Sequence, residues 1–133
     1  GGGVLSTTRG KIRIENNRFL NTGESGVLIG DDASTWFESS PVQDVVVGGN
    51  AFMNCEKSAI LIKPECRRYS GAVHRNITIE NNLFVLNNIH ALDISSSENV
   101  IMRNNMYKGR ALNGKWIVAK NTENLVDDCP KVK

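Results

Sequence analysis

A recurring asparagine constrains the fold of this 133-residue sequence more than any other feature. Each copy follows a short run rich in β-branched residues and precedes an aromatic residue by two positions. The asparagines are Asn17, Asn50, Asn82 and Asn105, and the aromatic residues are Phe19, Phe52, Phe84 and Tyr107. The steps along each series are 33, 32 and 23 residues. Self-similarity at a period of about 20–50 residues is typical of solenoids and related repeat folds.

A second series repeats with nearly the same steps. Its members are the tripeptides that begin at Gly3, Gly26, Ala59, Ala91 and Gly114, which we align with steps of 23, 33, 32 and 23 residues. Because two different patterns share their period, the basic unit is 23 residues, and two of the coils are enlarged by 10 and 9 residues.

The repeat predicts an all-β fold. Short strands of Val, Ile and Leu alternate with Gly and Asn turns, and helical periodicity is nearly absent. A unit of this length predicts a parallel β-helix of about four to five coils, in which equal positions stack about 4.8 Å apart. Asparagine would occupy left-handed bends and bond to its copies in adjacent coils, and the aromatic rings would stack inside. A leucine-rich repeat is excluded because residues 20–25 are too short and polar for its helix.

Composition excludes several classes of function. The 16 Lys and Arg residues nearly balance 14 Asp and Glu residues, which argues against a nucleic-acid partner. No apolar run approaches the roughly 18 residues that a membrane span requires. Cys55, Cys66 and Cys129 fit neither a disulfide framework nor a zinc site, so we expect free thiols, with a Cys55–Cys66 bridge as the alternative. His74 and His90 are isolated and are expected to be structural or surface residues.

The length predicts one domain, a single parallel β-helix over residues 1–133. The segment at Gly3 already lies in the middle of a coil, so we expect the chain to continue a longer β-helix. An uncovered terminal strand associates readily, which predicts contact with further coils or with a second copy as a homo-oligomer.

Both enlarged coils carry their extra residues after the same strand. The insertions are residues 34–41 and 66–74, whereas the next coil passes directly from Ser95 to Val100. Inserted residues of a solenoid map to loops on one face, which is often the binding face. The two loops are therefore expected to border one patch.

The repeat places acidic residues at the base of these loops. With a step of 33, Asp32 stacks on Glu65 and Asp31 on Pro64, and the following coil contributes Ser96 and Ser97. Carboxylates this close repel one another, which raises the pKa of at least one of them. Two carboxylates in different protonation states suit glycosidic bond cleavage, and their separation decides between a retaining and an inverting reaction. A calcium site is the alternative interpretation.

Side chains in the two loops are candidates for substrate binding. Trp36 and Phe37 have no apolar partner pattern, so they would either stack on a sugar ring or pack the loop onto the coil. Arg67, Arg68 and Tyr69 can hydrogen-bond to hydroxyl groups or to an acid group, and otherwise form a solvated loop.

These motifs resemble the C-terminal half of the β-helix in glycoside hydrolase family 110. The most specific element is the Asp-Asp-Ala-x-x-Trp-Phe-Glu-Ser run at residues 31–39. The flanking strands and the segments at 59–65 and 74–82 also fit, so the resemblance covers most of residues 3–107. The Asn-Asn-x-Phe motifs are common to many β-helices and are less specific.

The resemblance implies a right-handed β-helix from an exo-acting α-1,3-galactosidase that inverts configuration and needs no metal or other cofactor. It implies a glycan with terminal galactose as the partner, as in blood group B-type glycans, and a secreted, periplasmic or cell-surface location. It assigns the acidic site to Asp31, Asp32 and Glu65. Members of that family are several times longer than this chain.

Two further hypotheses are a non-catalytic carbohydrate-binding or structural β-helix, and a lyase or epimerase of acidic polysaccharides. The second of these would use Arg67, Arg68 and calcium.

Overall fold

The computed structural model describes residues 4–6, 11–31, 43–64 and 74–127. Within these ranges the chain forms short strands and one 3-10 turn, and it contains no α-helix. The strands are β1 (Val4–Ser6), β2 (Ile12–Glu15), β3 (Arg18–Leu20), β4 (Val27–Asp31), β5 (Gln43–Gly48), β6 (Ala51–Met53), β7 (Ile60–Pro64), β8 (His74–Glu80), β9 (Leu83–Asn87), β10 (Leu92–Arg103), β11 (Met106–Arg110) and β12 (Ile117–Asp127). The 3-10 turn is Leu112–Gly114.

The strands repeat in three parallel stacks, and this confirms the predicted parallel β-helix. The first stack contains β1, β4, β7 and the start of β10. The second contains β2, β5, β8 and the end of β10, and the third contains β3, β6, β9 and β11. Strand β12 pairs with both halves of β10 and forms the last layer that the structure describes.

The core is built by alternation along each strand. In β5, for example, Val45 and Val47 are fully buried, whereas Asp44, which precedes them, is exposed. Branched aliphatic side chains from the first two stacks fill the interior, and the third stack adds one aromatic residue per coil. Gly26 is required by this packing, because a Cβ atom there would lie 2.7 Å from Cδ1 of Phe52.

The predicted aromatic stack is confirmed. Successive ring centroids of Phe19, Phe52, Phe84 and Tyr107 lie 4.9, 5.1 and 5.4 Å apart, and the rings are nearly parallel. The spacing follows from the layer spacing of a parallel sheet, since each ring comes from the same position of its coil. Trp116 extends the stack at 5.3 Å from Tyr107.

The repeated asparagines form a hydrogen-bonded series, which we call the inner amide ladder (Asn17, Asn50, Asn82 and Asn105), and all of them except Asn17 are buried. Asn50 shows the pattern: its Nδ2 donates to the carbonyl oxygen of Ile14 at 2.8 Å and to Oδ1 of Asn82 at 3.1 Å. Its backbone N–H also donates to Oδ1 of Asn82, at 2.9 Å. This confirms the predicted contacts between coils.

The left-handed bend belongs to a different residue from the one that we expected. Within each repeated pair, the residue before the ladder asparagine has a positive φ, at Asn16, Gly49, Asn81 and Asn104. The ladder asparagine itself does not. One residue thus turns the chain, and the side-chain amide of the next bonds to the adjacent coil.

The last step of the predicted alignment is wrong. We aligned Lys115 with Leu92, a step of 23 residues, but Leu92 pairs with Ile117, 25 positions later. The 3-10 turn before β12 accounts for the two added residues. Trp116 therefore lies opposite Ala91, whose N–H donates to the Trp116 carbonyl oxygen at 2.8 Å.

Cys55 is a buried free thiol, as expected, whereas Cys66, the partner in the alternative bridge, and Cys129 lie outside the described residues. Burial raises the pKa of the Cys55 thiol, and hydrogen bonds with the Thr22 side chain and the Gly26 backbone only partly oppose this shift. The raised pKa favours the folded state below the ordinary thiol pKa, and this contribution is lost as pH rises through the folded-state value.

Alkylation should report this burial. We expect iodoacetamide at pH 8 to modify Cys55 at least about tenfold more slowly in the native protein than in urea, because the thiolate is both scarce and shielded. Peptide mass spectrometry separates Cys55 from Cys66 and Cys129. Equal rates for Cys55 in the two conditions would contradict the buried position.

Candidate functional site

The two insertions leave the β-helix at neighbouring positions. Strand β4 ends at Asp31 and strand β7 ends at Pro64, and these two residues are register partners in adjacent layers. Residues 32–42 and 65–73, which follow them, lie outside the described residues. The predicted stacking of Asp31 on Pro64 is therefore confirmed, and both loops start from one corner between the first and second strand stacks.

Strand β10 shows that the loops also return at this corner. It crosses the corner without interruption and pairs Ile94 with Ile62, then Ser97 with His74. Two residues lie between Ile94 and Ser97, whereas eleven lie between Ile62 and His74, so the second loop adds nine residues. Ser96 turns the corner with a φ of 50°. The chain thus leaves the β-helix after β7 and rejoins it at β8, on the two sides of the corner that β10 crosses.

One predicted alignment at this corner is wrong. We expected Ser97 to lie opposite Glu65, but Ser97 pairs with His74. The step of 32 residues holds only as far as Ile62 and Ile94, because the loop then separates the two halves of the coil. The loop that carries Glu65 therefore has no counterpart in β10.

The structure describes the strands that lead to the predicted site residues, and among those residues it describes only the backbone of Asp31. The backbone of Asp31 lies in β4. The other predicted catalytic and substrate-binding residues lie outside the described residues: Asp32, Trp36, Phe37, Glu65, Arg67, Arg68 and Tyr69. Their placement at this corner stays a prediction, which follows from the strand ends.

Two polar side chains lie inside the β-helix beneath the corner, and no motif of the sequence indicated them. His74 and Ser97 are fully buried, and Oγ of Ser97 donates to the carbonyl oxygen of Ser95 at 3.0 Å. The expectation that both histidines are structural or surface residues is confirmed, since His90 is partly buried and its Nδ1 lies 2.7 Å from the carbonyl oxygen of Lys115.

A second hydrogen-bonded series, of one carboxylate followed by three carboxamides, lies on the surface beside the corner. We call Asp44, Asn76, Asn99 and Asn124 the outer amide ladder. Nδ2 of each asparagine donates to Oδ1 of the preceding member, at 3.0, 3.2 and 2.8 Å. All four residues have φ between 57° and 59°. Their spacing could have been found in the sequence, but it was hidden by the stronger signal of the inner amide ladder.

The outer amide ladder borders an open groove of about 480 Å³ on the second strand stack. Asp44, Asn76 and Asn99 line one side. Register places Val46, Thr78 and Ile101 in one row along the groove, and Arg13 continues this row in the layer of β2. Because Asn76 follows the start of β8 by two residues, the groove adjoins the corner from which the loops leave.

Lys11, Arg13 and Asp44 are the charged residues that line the groove, and Nη1 of Arg13 lies 3.0 Å from Oε1 of Glu15 on the same strand. Other charged residues pair between layers. Arg75 lies 3.3 Å from Glu98, and Nε of Arg103 lies 2.7 Å from Glu80. In the described part of the chain, no three His, Cys, Asp or Glu residues are close enough together to hold a metal ion. The same residues include no helix that is long and apolar enough to cross a membrane.

Comparison with known proteins finds a β-helix family and several relatives that are named alpha-1,3-galactosidases. Residues 1–129 match the family described as "Right handed beta helix region". The chain is 42% identical over 106 residues to alpha-1,3-galactosidase A of Bacteroides thetaiotaomicron, covering 78% of this chain and 19% of that protein. For alpha-1,3-galactosidase A of Akkermansia muciniphila the identity is 40% over 105 residues, covering 79% and 18%. For alpha-1,3-galactosidase B of Bacteroides thetaiotaomicron it is 36% over 124 residues, covering 80% and 20%.

These matches confirm the predicted resemblance and the right-handed fold. The chain spans about a fifth of the length of the curated relatives that it matches.

Proposed function

This chain belongs to the right-handed β-helix family, and on that premise we propose that its loop-bearing corner is part of the active site of an exo-acting α-1,3-galactosidase. The substrate is a glycan with a terminal α-1,3-linked galactose. The observation that carries the proposal is the pairing of Asp31 with Pro64 at the two strand ends from which the loops leave. Relatives that are named alpha-1,3-galactosidases match the chain across this corner and support the choice of substrate.

The pairing suggests how carboxylates meet at the corner. Asp32 and Glu65 each follow one member of the Asp31–Pro64 pair, so they emerge from layers about 4.8 Å apart. One carboxylic acid protonates the leaving oxygen, and one carboxylate activates water on the opposite face of the sugar. A diagonal arrangement, with Asp31 or Asp32 as one partner and Glu65 as the other, allows the separation of about 6.5–9.5 Å that inversion requires.

The remaining loop residues complete this proposal. Trp36 and Phe37 stack on the galactose ring, since aromatic faces pack well against apolar ring surfaces. Arg67, Arg68 and Tyr69 hydrogen-bond to its hydroxyl groups. The reaction is acid–base hydrolysis and uses no metal or other cofactor. A protein that acts on such glycans works in a secreted, periplasmic or cell-surface location.

The test is galactose release by the protein at its natural length. Incubation with a B-type oligosaccharide should release galactose, and NMR of the first product should show the β-anomer, as inversion at an α-linkage requires. Chelators should leave the rate unchanged.

Two other outcomes would replace the proposal. Glycan binding without turnover would favour a non-catalytic carbohydrate-binding or structural β-helix. Calcium-dependent cleavage or epimerisation of uronic acid polymers would favour a lyase or epimerase.

A further inference from the structure

The two amide ladders differ in how completely they are hydrogen-bonded. In the inner amide ladder, both N–H groups of Asn50 and of Asn82 are used inside the protein, by a backbone carbonyl and by the next asparagine. In the outer amide ladder, Asn76 and Asn99 each donate a single hydrogen bond to other described residues. A carboxamide has two donors and two acceptor positions. Toward the described residues, each of these exposed amides therefore leaves one donor and one acceptor position unused.

The groove beside the outer amide ladder combines these polar groups with an apolar floor. Val46, Thr78 and Ile101 come from successive layers, and Ile101 is one of the exposed large hydrophobic residues. The amides repeat with the same layer spacing as the floor residues, about 4.8 Å. The groove thus presents a row of paired donors and acceptors along one side of a narrow apolar surface.

We propose that this groove binds the sugar units of a neutral oligosaccharide that lie beyond the terminal galactose. The inference rests on the proposed function in one respect, which is that the galactose end of the glycan occupies the adjoining corner. The ligand class follows from chemistry: a sugar hydroxyl both donates and accepts, as a carboxamide does, and the C–H face of a pyranose packs on aliphatic side chains. Asn76 of the outer amide ladder lies two residues after the loop returns at β8, so one glycan can extend from the corner into the groove.

The experiment compares two substrates that share the same terminal disaccharide. One is galactosyl-α-1,3-galactose, and the other is a longer neutral glycan with that disaccharide at its end. In the double variant Asn76→Gly/Asn99→Gly, which keeps the left-handed backbone accessible, the ratio of kcat/KM for the longer substrate to that for the shorter one should fall about tenfold. Thr78→Val, which is nearly isosteric, should lower the same ratio about threefold.

Asn54→Gly is the matched control. Asn54 is also exposed, has a φ of 56°, and donates one bond from Nδ2 to Asn21 at 3.0 Å, but it lies in the turn after β6. It should leave the substrate ratio unchanged. Two results would overturn the proposal. One is a kcat/KM ratio of longer to shorter substrate near one in the wild-type protein, and the other is an equal fall of this ratio in Asn54→Gly.

Calorimetry keeps the groove testable if the proposed function fails. If the wild-type protein releases galactose from neither substrate, the proposed function is wrong. The groove then predicts that the longer glycan still binds and that the Asn76→Gly/Asn99→Gly variant raises its Kd about tenfold. Equal Kd values for the variant and the wild-type protein would refute glycan binding in the groove.

Discussion

Replacing Asp32 with asparagine is expected to lower kcat for galactose release about 10²- to 10⁴-fold, the usual contribution of a positioned acid or base. The same loss is expected for Asp31→Asn and for Glu65→Gln, each of which preserves the shape of the side chain and removes its charge. The reason is that the register brings the ends of β4 and β7 together, and the three acidic residues lie at or directly after those ends. The measurement is the initial rate of galactose release from a B-type oligosaccharide by the protein at its natural length.

The control for this prediction is Glu56→Gln. Glu56 is an exposed carboxylate in the turn between β6 and β7, away from the loop-bearing corner. Its replacement should change kcat by less than about twofold. The prediction is contradicted if all three acidic variants release galactose at the wild-type rate and have circular dichroism spectra that match the wild-type protein. The corner would then not be the catalytic site.

The second large effect is on stability, and Asn82→Ala should produce it. The Asn82 side chain donates to the carbonyl oxygen of Val47 at 2.9 Å and to Oδ1 of Asn105 at 3.0 Å, and it accepts from both nitrogens of Asn50. It is buried, so its removal takes away a bond to the Val47 carbonyl and leaves two N–H groups of Asn50, one from the backbone and one from the side chain, without the acceptor that they share. We expect the free energy of unfolding to fall by about 3–5 kcal/mol, as measured by urea denaturation.

Asn54→Gly serves as the stability control as well. Asn54 makes a single exposed side-chain hydrogen bond between layers, and glycine adopts its positive φ without strain. The variant should lose less than about 1 kcal/mol. If Asn82→Ala were no more destabilising than this control, the buried ladder would be tolerated by the fold and would not stabilise it.

Local patterns predicted the parts of the structure that repeat. An asparagine followed at two positions by an aromatic residue indicates the inner amide ladder and the aromatic stack, because equal positions of successive coils must superpose in a parallel sheet. The same logic gave the partner of Asp31 and the size of both insertions, and all of these agree with the structure.

Predictions failed where the chain departs from its repeat. The alignment of Lys115 with Leu92 assumed a 23-residue unit, and the 3-10 turn at Leu112–Gly114 lengthened it. The pairing of Ser97 with His74 depends on where the loop returns, and no residue within the loop specifies that point. Neither a turn of two extra residues nor a return point changes the hydrophobic pattern, so the sequence carries little signal of them.

The sequence by itself determined the period of this β-helix, its buried amides and aromatic rings, and the corner that carries the insertions. These features follow from chemistry within each coil: a β-branched strand, a residue that tolerates a left-handed bend, and an amide that bonds to its own copy. Only the tertiary structure decided that Trp116 lies on Tyr107, that His74 and Ser97 are buried beneath the corner, and that a second amide row borders a groove. These contacts join residues of different coils whose relative positions depend on the lengths of intervening turns, and strand patterns do not encode those lengths.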